Sequence, residues 1–125
     1  MNDQTKFLGL FKTQLMLFCD DLANQFPNEP QISIFKFVID QIPVKQLVQG
    51  FYEHSNRKLE NGGLLRDMVM TKDANYFIEE RPFGFISDSR NDMMVVYWKS
   101  MDDESKLAIW SWFDMFVKLA DRACI

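Results

Sequence analysis
The sequence predicts an all-α protein, a single domain over residues 1–125 folded as a bundle of about five to seven helices. Three observations carry this. The run Met101–Cys124 reads as one long helix whose polar residues Glu104, Ser111, Asp114, Lys118 and Asp121 fall near one line. Almost everything else in it is apolar, from Leu107 and Ala108 through Trp110, Trp112, Phe113 and Phe116 to Ala120, and such a helix is mostly enclosed by others. Towards the other end, Phe7, Leu8, Phe11, Leu15, Phe18, Cys19, Leu22 and Phe26 recur at steps of three and four. No internal repeat, linker or low-complexity tract divides the 125 residues, a length that buries a sizeable core without metal or disulfide help.

Taken in order, the first helix runs from about Thr5 to Gln25 and is stopped by Phe26-Pro27-Asn28-Glu29-Pro30, since proline disfavours a helical residue before it. Residues 31–41 suit a helix through Phe35, Val38, Ile39 and Ile42, with Pro30 in the first turn. Their β-branched and aromatic content makes a short buried strand the alternative. Pro43 opens a third helix reaching about Leu59, with Val44, Leu47, Val48, Phe51 and Tyr52 on its apolar face. Gly50 costs that helix about 1 kcal/mol relative to alanine, and Asn61-Gly62-Gly63 stops it.

Two short helical pieces, Leu64–Met70 and Ala74–Glu80, follow around Lys72-Asp73. Arg81–Asn91 is the main loop, broken by Pro82 and Gly84 and anchored by Phe83, Phe85 and Ile86. Such a loop is either tacked onto the core or offered to a partner. Asp92–Lys99 is a short helix capped from Ser89 or Asn91, with short strand content over 83–98 as the alternative. Ser100 or Asp102 caps the last helix, where Asp102, Asp103 and Glu104 meet the positive end of its dipole.

The net charge of −4 is unevenly spread: residues 41–72 carry five basic and three acidic side chains, residues 73–125 six and ten. No basic cluster is dense enough to track phosphates. No apolar run approaches the roughly 18 residues of a membrane span, which predicts no membrane partner. The start MNDQTKF lacks a secretory pattern, Asn2 excludes myristoylation, and Cys124 is misplaced for prenylation. With Cys19 and Cys124 expected as reduced thiols, these features predict an intracellular protein.

Catalytic constellations are poorly represented. His54 is the only histidine and sits among polar residues, so it reads as a solvated side chain, and no Cys-x-x-Cys pair supplies zinc ligands. No Gly-x-Ser-x-Gly elbow, phosphate-cradling loop or dinucleotide fingerprint occurs. Cys19 lies on an apolar face, where burial blunts a thiol. Adjacent carboxylates such as Glu79-Glu80 point about 100° apart on a helix and read as solvated faces. Asp88–Asp92 superficially resembles a calcium loop but lacks its glycine and final glutamate. The expectation is no enzyme, no metal and no cofactor. Trp98, Trp110, Trp112, Phe113 and Phe116 read as core rather than a ligand pocket. Met68, Met70, Met93, Met94, Met101 and Met115 read as gap fillers rather than an adaptable groove.

The C-terminal run Leu107-Ala-Ile-Trp-Ser-Trp-Phe-Asp-Met-Phe-Val-Lys-Leu-Ala120 follows an acidic Met-Asp-Asp-Glu-Ser-Lys start. It resembles the ending of small helical proteins of unknown function from nucleocytoplasmic large DNA viruses. The Asp-Gln-Ile-Pro turn at Asp40–Pro43 and the early Phe/Leu helix are similar to theirs as well. The resemblance implies a setting, the cytoplasm of an infected cell, a viral factory or the virion, and carries no catalytic residues.

The function expected is a non-enzymatic helical interaction or structural protein, acting as a homo-oligomer or assembly subunit. Its partner-binding residues are expected at Phe83, Phe85, Ile86 and Met93. One alternative is a nucleic-acid-associated regulatory factor using Lys45, Arg57, Lys58, Arg66 and Lys72 on one face. The others are a small carboxylate hydrolase or transferase, and a viral modulator of a host pathway such as cell death.

Overall fold
A computed structural model describes residues 3–83, 85–86 and 93–124. Among them are seven helices and no sheet: α1 (Asp3–Gln25), α2 (Pro30–Gln41), α3 (Val44–Ser55), α4 (Asp67–Met70), α5 (Asn75–Ile78), α6 (Met93–Ser100) and α7 (Asp103–Cys124). Of the two segments that periodicity left open between helix and strand, residues 31–41 are helical, and so are residues 93–99 of the second. Proline begins α2 at a position where its missing N–H is not needed.

The C-terminal helix is the axis of the fold. α7 packs along α1 and across α3, and α2 covers α1 from outside. From α1, Phe11, Leu15, Phe18, Cys19 and Leu22 enter the core, and α7 answers with Ile109, Trp110, Phe113, Phe116 and Val117. Phe113 is the hub: its ring meets those of Phe77, Phe116, Tyr76, Phe18 and Phe83 at centroid distances of 5.1–5.6 Å, several of them edge-on. Trp98 of α6 stacks on Phe77 at 4.4 Å and meets Trp110 edge-on at 5.2 Å. These aromatics fill the core. The enclosure of α7 is incomplete, however: Leu107 and Ala108 stay exposed.

Asp102 caps α7, its carboxylate accepting the Ser105 N–H at 2.8 Å. That bond stabilises the ionised form and holds its pKa below the usual value. A bidentate ion pair, Arg66 to Asp121 at 2.7 and 2.5 Å, ties the segment before α4 to the last turns of α7.

The third helix is shorter than predicted. It ends at Ser55, and the chain then reverses: Leu59 N–H donates to Gly63 O at 2.7 Å, Leu65 N–H to Arg57 O at 2.9 Å, and Lys58 bridges Leu64 antiparallel. Asn61-Gly62-Gly63 is thus the turn of a miniature hairpin, not a helix stop, and Gly62 supplies the left-handed residue it needs, with φ +88°. The first predicted short helix shrinks accordingly to Asp67–Met70. The cap at Ser89 or Asn91 and the calcium-loop likeness at Asp88–Asp92 lie outside the described residues.

Candidate functional site
Phe83 is 1% exposed and Ile86 7%, so both belong to the core. The Phe83 ring meets those of Phe35, Phe113 and Phe51 at 5.5, 5.6 and 6.2 Å. Of the two roles open to an apolar loop, these residues take the first: they hold it down on α2 and α3. Phe85 is half-buried and lies across α3 at Gly50, where a Cβ would come within 2.6 Å of its ring. The glycine that merely weakens a helix in sequence is the seat of this ring. Met93 opens α6, and its side chain lies outside the described residues.

His54 is not a solvated residue. Its ring lies 6.0 Å from that of Phe85, and Nε2 donates to the Arg81 carbonyl at 2.5 Å, fastening α3 to the start of the loop. Burial lowers its pKa below the ordinary value, although the Arg81 bond opposes the shift. Beside it, Arg57 pairs with Glu80.

Three depressions remain as candidates. One of about 630 Å³ lies between α2, α3 and the loop, walled by Val38, Ile42, Gln46, Gly50 and Phe85 with Glu53 at its edge. A second, of about 440 Å³, gathers Glu60, Asp73, Glu79 and Glu80 beside Arg57 and Lys58. Two of its four carboxylates already have work: Glu80 binds Arg57, and Asp73 accepts the Asn75 N–H at 3.0 Å. No group of three or more metal-ligating side chains occurs among the described residues.

The third depression, of about 520 Å³, runs along the outer face of α1, floored by Gly9, Thr13, Met16 and Leu17 and bounded by Val44. Lys12 and Asp40 close one side, with Lys12 Nζ donating to the carbonyls of Asp40 and Ile42 at 3.0 and 3.4 Å. That ammonium caps the C-terminal end of α2, where the helix dipole favours it. Met16 and Asp40 also line a smaller hollow with Ser33, Lys36 and Phe37, so groove and hollow adjoin. Lys36 Nζ binds Asp20 at 2.6 Å, which raises the lysine's pKa.

Phe37 stands 64% exposed at the rim of this groove and Leu17 47% within it. Of the eight large exposed apolar side chains among the described residues, half lie on α1 and α2: Leu10, Leu17, Ile34 and Phe37. α2 shows why. Ile32, Phe35 and Ile39 take its inner face, which leaves Ile34 and Phe37, three residues apart, on the outer one. A helix apolar on both sides is ordinarily covered on both. Sequence reasoning missed this face, although the signal was present in the crowding of apolar residues in 30–41 beyond one stripe.

The other readings gather less. Of the methionines weighed as a groove, Met94 and Met101 are core residues, Met68 and Met115 are half-buried, and Met70 is exposed. Of the five cations that a nucleic-acid surface would use, Arg57 and Arg66 are engaged with Glu80 and Asp121. Cys19 and Cys124 are both free thiols, and burial pushes that of Cys19 up to about 12. No helix among the described residues is long and apolar enough to cross a membrane. Comparison with protein-family models, curated proteins and solved structures found no match.

Proposed function
We propose that the chain acts by docking onto protein, without catalysis, and that the α1–α2 face is its docking surface. The observation that carries this is Phe37, a large aromatic ring left 64% in water at the hollow that adjoins the α1 groove. An exposed aromatic next to a hollow, rimmed by charged side chains, is the arrangement of an interface centre. The rim is supplied here by Lys12, Asp20, Lys36 and Asp40. Phe85, the half-buried member of the expected partner-binding residues, lines a separate cleft and serves chiefly to seat the loop. The setting that accompanies this proposal is the one implied by the C-terminal tryptophan helix, an infected cell or a virion.

The test is site-specific photo-cross-linking in cells expressing the full chain, with the reactive group placed at position 17, at 37, or at exposed Lys58 as a control. Discrete adducts from 17 and 37 but not from 58 are expected. Equal adducts from all three, or none from the first two, would remove the docking assignment.

A further inference from the structure
Among the chain's asparagines only Asn61 is followed by glycine; every other is followed by a residue with a bulky side chain. The distinction is chemical. An asparagine side-chain amide and the main-chain nitrogen of the next residue can close a five-membered ring, and a Cβ on that next residue crowds the closure. Glycine alone has none.

The fold puts this pair at the tip of the hairpin after α3, with both residues exposed. Gly62 takes φ +88°, and Asn61 Oδ1 accepts the Gly63 N–H at 2.9 Å. That bond folds the side-chain amide back over the turn and draws electron density from Cγ. One bond opposes attack on it, since the Gly62 N–H donates to Leu59 O at 3.0 Å. It belongs to a miniature hairpin held by the Lys58–Leu64 bridge, and an exposed hairpin of that size opens locally at little cost.

We propose that Asn61-Gly62 is a self-modifying site of the folded chain, at which Asn61 becomes aspartate or isoaspartate without an enzyme. When the tip opens, the Gly62 nitrogen gives its proton to solvent and attacks Cγ of Asn61. The new C–N bond closes a succinimide, the Cγ–Nδ2 bond breaks, and the amide leaves as ammonia with a proton taken from solvent. Water then opens the ring at either carbonyl. Attack at Cγ returns the normal main chain with an aspartate; attack at the main-chain carbonyl leaves the chain running through Cγ, as isoaspartate. Water is the only co-reactant.

Both products set a carboxylate where the amide stood. Asn61 Oδ1 and Asp67 Oδ2 both lie against Gly63, 3.2 and 3.4 Å from where its Cβ would stand. Asp67 Oδ2 also accepts the Leu64 N–H at 2.9 Å, the bond that leads the chain into α4. The new charge therefore repels Asp67 and neighbouring Glu60. Isoaspartate does more. Its extra main-chain atom lengthens the turn and puts the Leu59 N–H out of register with Gly63 O, its partner at 2.7 Å in the unmodified chain. The reaction is a slow, irreversible loosening of the segment between α3 and α4.

Ageing of the purified full chain in mildly alkaline buffer at body temperature tests this, with tryptic peptides weighed over time. The peptide 59–66, which holds no other asparagine, should gain one mass unit before any other asparagine-containing peptide. It should resolve into an aspartate and an isoaspartate form, the second a substrate for protein isoaspartyl methyltransferase. The folded chain should convert at no less than about a tenth of the rate in urea, because the hairpin tip opens readily. Asn61→Asp supplies the charge without the longer main chain. Hydrogen exchange should show the Leu59 and Leu65 amides losing protection in the isoaspartate chain and largely keeping it in Asn61→Asp. Those of Leu15 and Phe18 in α1 should stay protected in both. A peptide 59–66 that keeps its mass or converts after another, or a folded rate below that tenth, overturns the inference. So does an isoaspartate chain whose Leu59 and Leu65 amides exchange as in the unmodified protein.

Discussion

Replacing Gly50 by alanine sets two effects of known size against each other. In the interior of α3 alanine is favoured over glycine by about 1 kcal/mol. The new methyl would lie 2.6 Å from Cδ2 and 3.1 Å from Cε2 of Phe85, whereas carbon pairs rest at about 3.5–4.0 Å. The ring must retreat by about 1 Å, and its surroundings resist: Phe51, Phe83 and His54 lie around it at centroid distances of 6.0–6.3 Å. Overpacking of this kind costs about 1–3 kcal/mol, so Gly50→Ala should destabilise the protein by about 1 kcal/mol net. In a Phe85→Ala background the obstacle is gone, and the same substitution should stabilise by about 1 kcal/mol. Urea unfolding of the four proteins of this cycle should therefore give a coupling of about 2 kcal/mol. If Gly50→Ala stabilises both backgrounds equally, the Phe85 ring does not rest on α3 and the seating of the loop is wrong.

Three further outcomes follow from the contacts. Asp121→Asn breaks the bidentate pair with Arg66, whose side chains are each about a quarter exposed; it should cost about 1 kcal/mol at low salt, less at high salt, and little more when Arg66→Met is added. His54 has a lowered pKa in the fold, so the unfolded chain binds its proton first. Its contribution is complete above the ordinary histidine pKa and declines as pH falls through that value towards the folded one. Wild type should therefore lose melting temperature between about pH 7.5 and about pH 5.5 more steeply than His54→Gln, and parallel curves would refute the assignment. Cys19, buried and shifted to about 12, should react with an aromatic disulfide only as fast as the chain opens, behind half-buried Cys124; prompt reaction of both would contradict the packing of α1.

Helices whose apolar residues keep one period were legible from the sequence, because α1 and α7 bury or half-bury the residues their spacing singled out, Leu107 and Ala108 at the start of α7 excepted. The end of α3 was not. Leu59 continues the apolar spacing of Phe51 and Tyr52, so nothing in the pattern announces that backbone bonds from Leu59 to Gly63 outcompete another turn of helix. The loop at 83–86 posed a different difficulty, since an apolar anchor has the same composition whether it faces inwards or towards a partner. Burial decides, and burial depends on whether α2 and α3 leave room for Phe83 between them. The α1–α2 face hid for the converse reason: Phe37 and Leu17 look like core residues in apolar helices, and only the packed arrangement reveals which side of α2 is left uncovered. His54 likewise takes its role from Arg81 and Phe85, both distant in sequence.

Hydroxyl-radical footprinting of the full chain, purified and in the lysate of cells that express it, tests the assignment of the α1–α2 face most directly. Exposed apolar side chains elsewhere serve as internal references, Met70 at 47% and Leu107 at 57% exposure. Leu17 and Phe37 should be protected in the lysate relative to the purified chain, while Met70 and Leu107 keep their reactivity. Protection that spares Leu17 and Phe37 and falls on Met70 or Leu107 would place the contact on another side of the bundle and contradict the account.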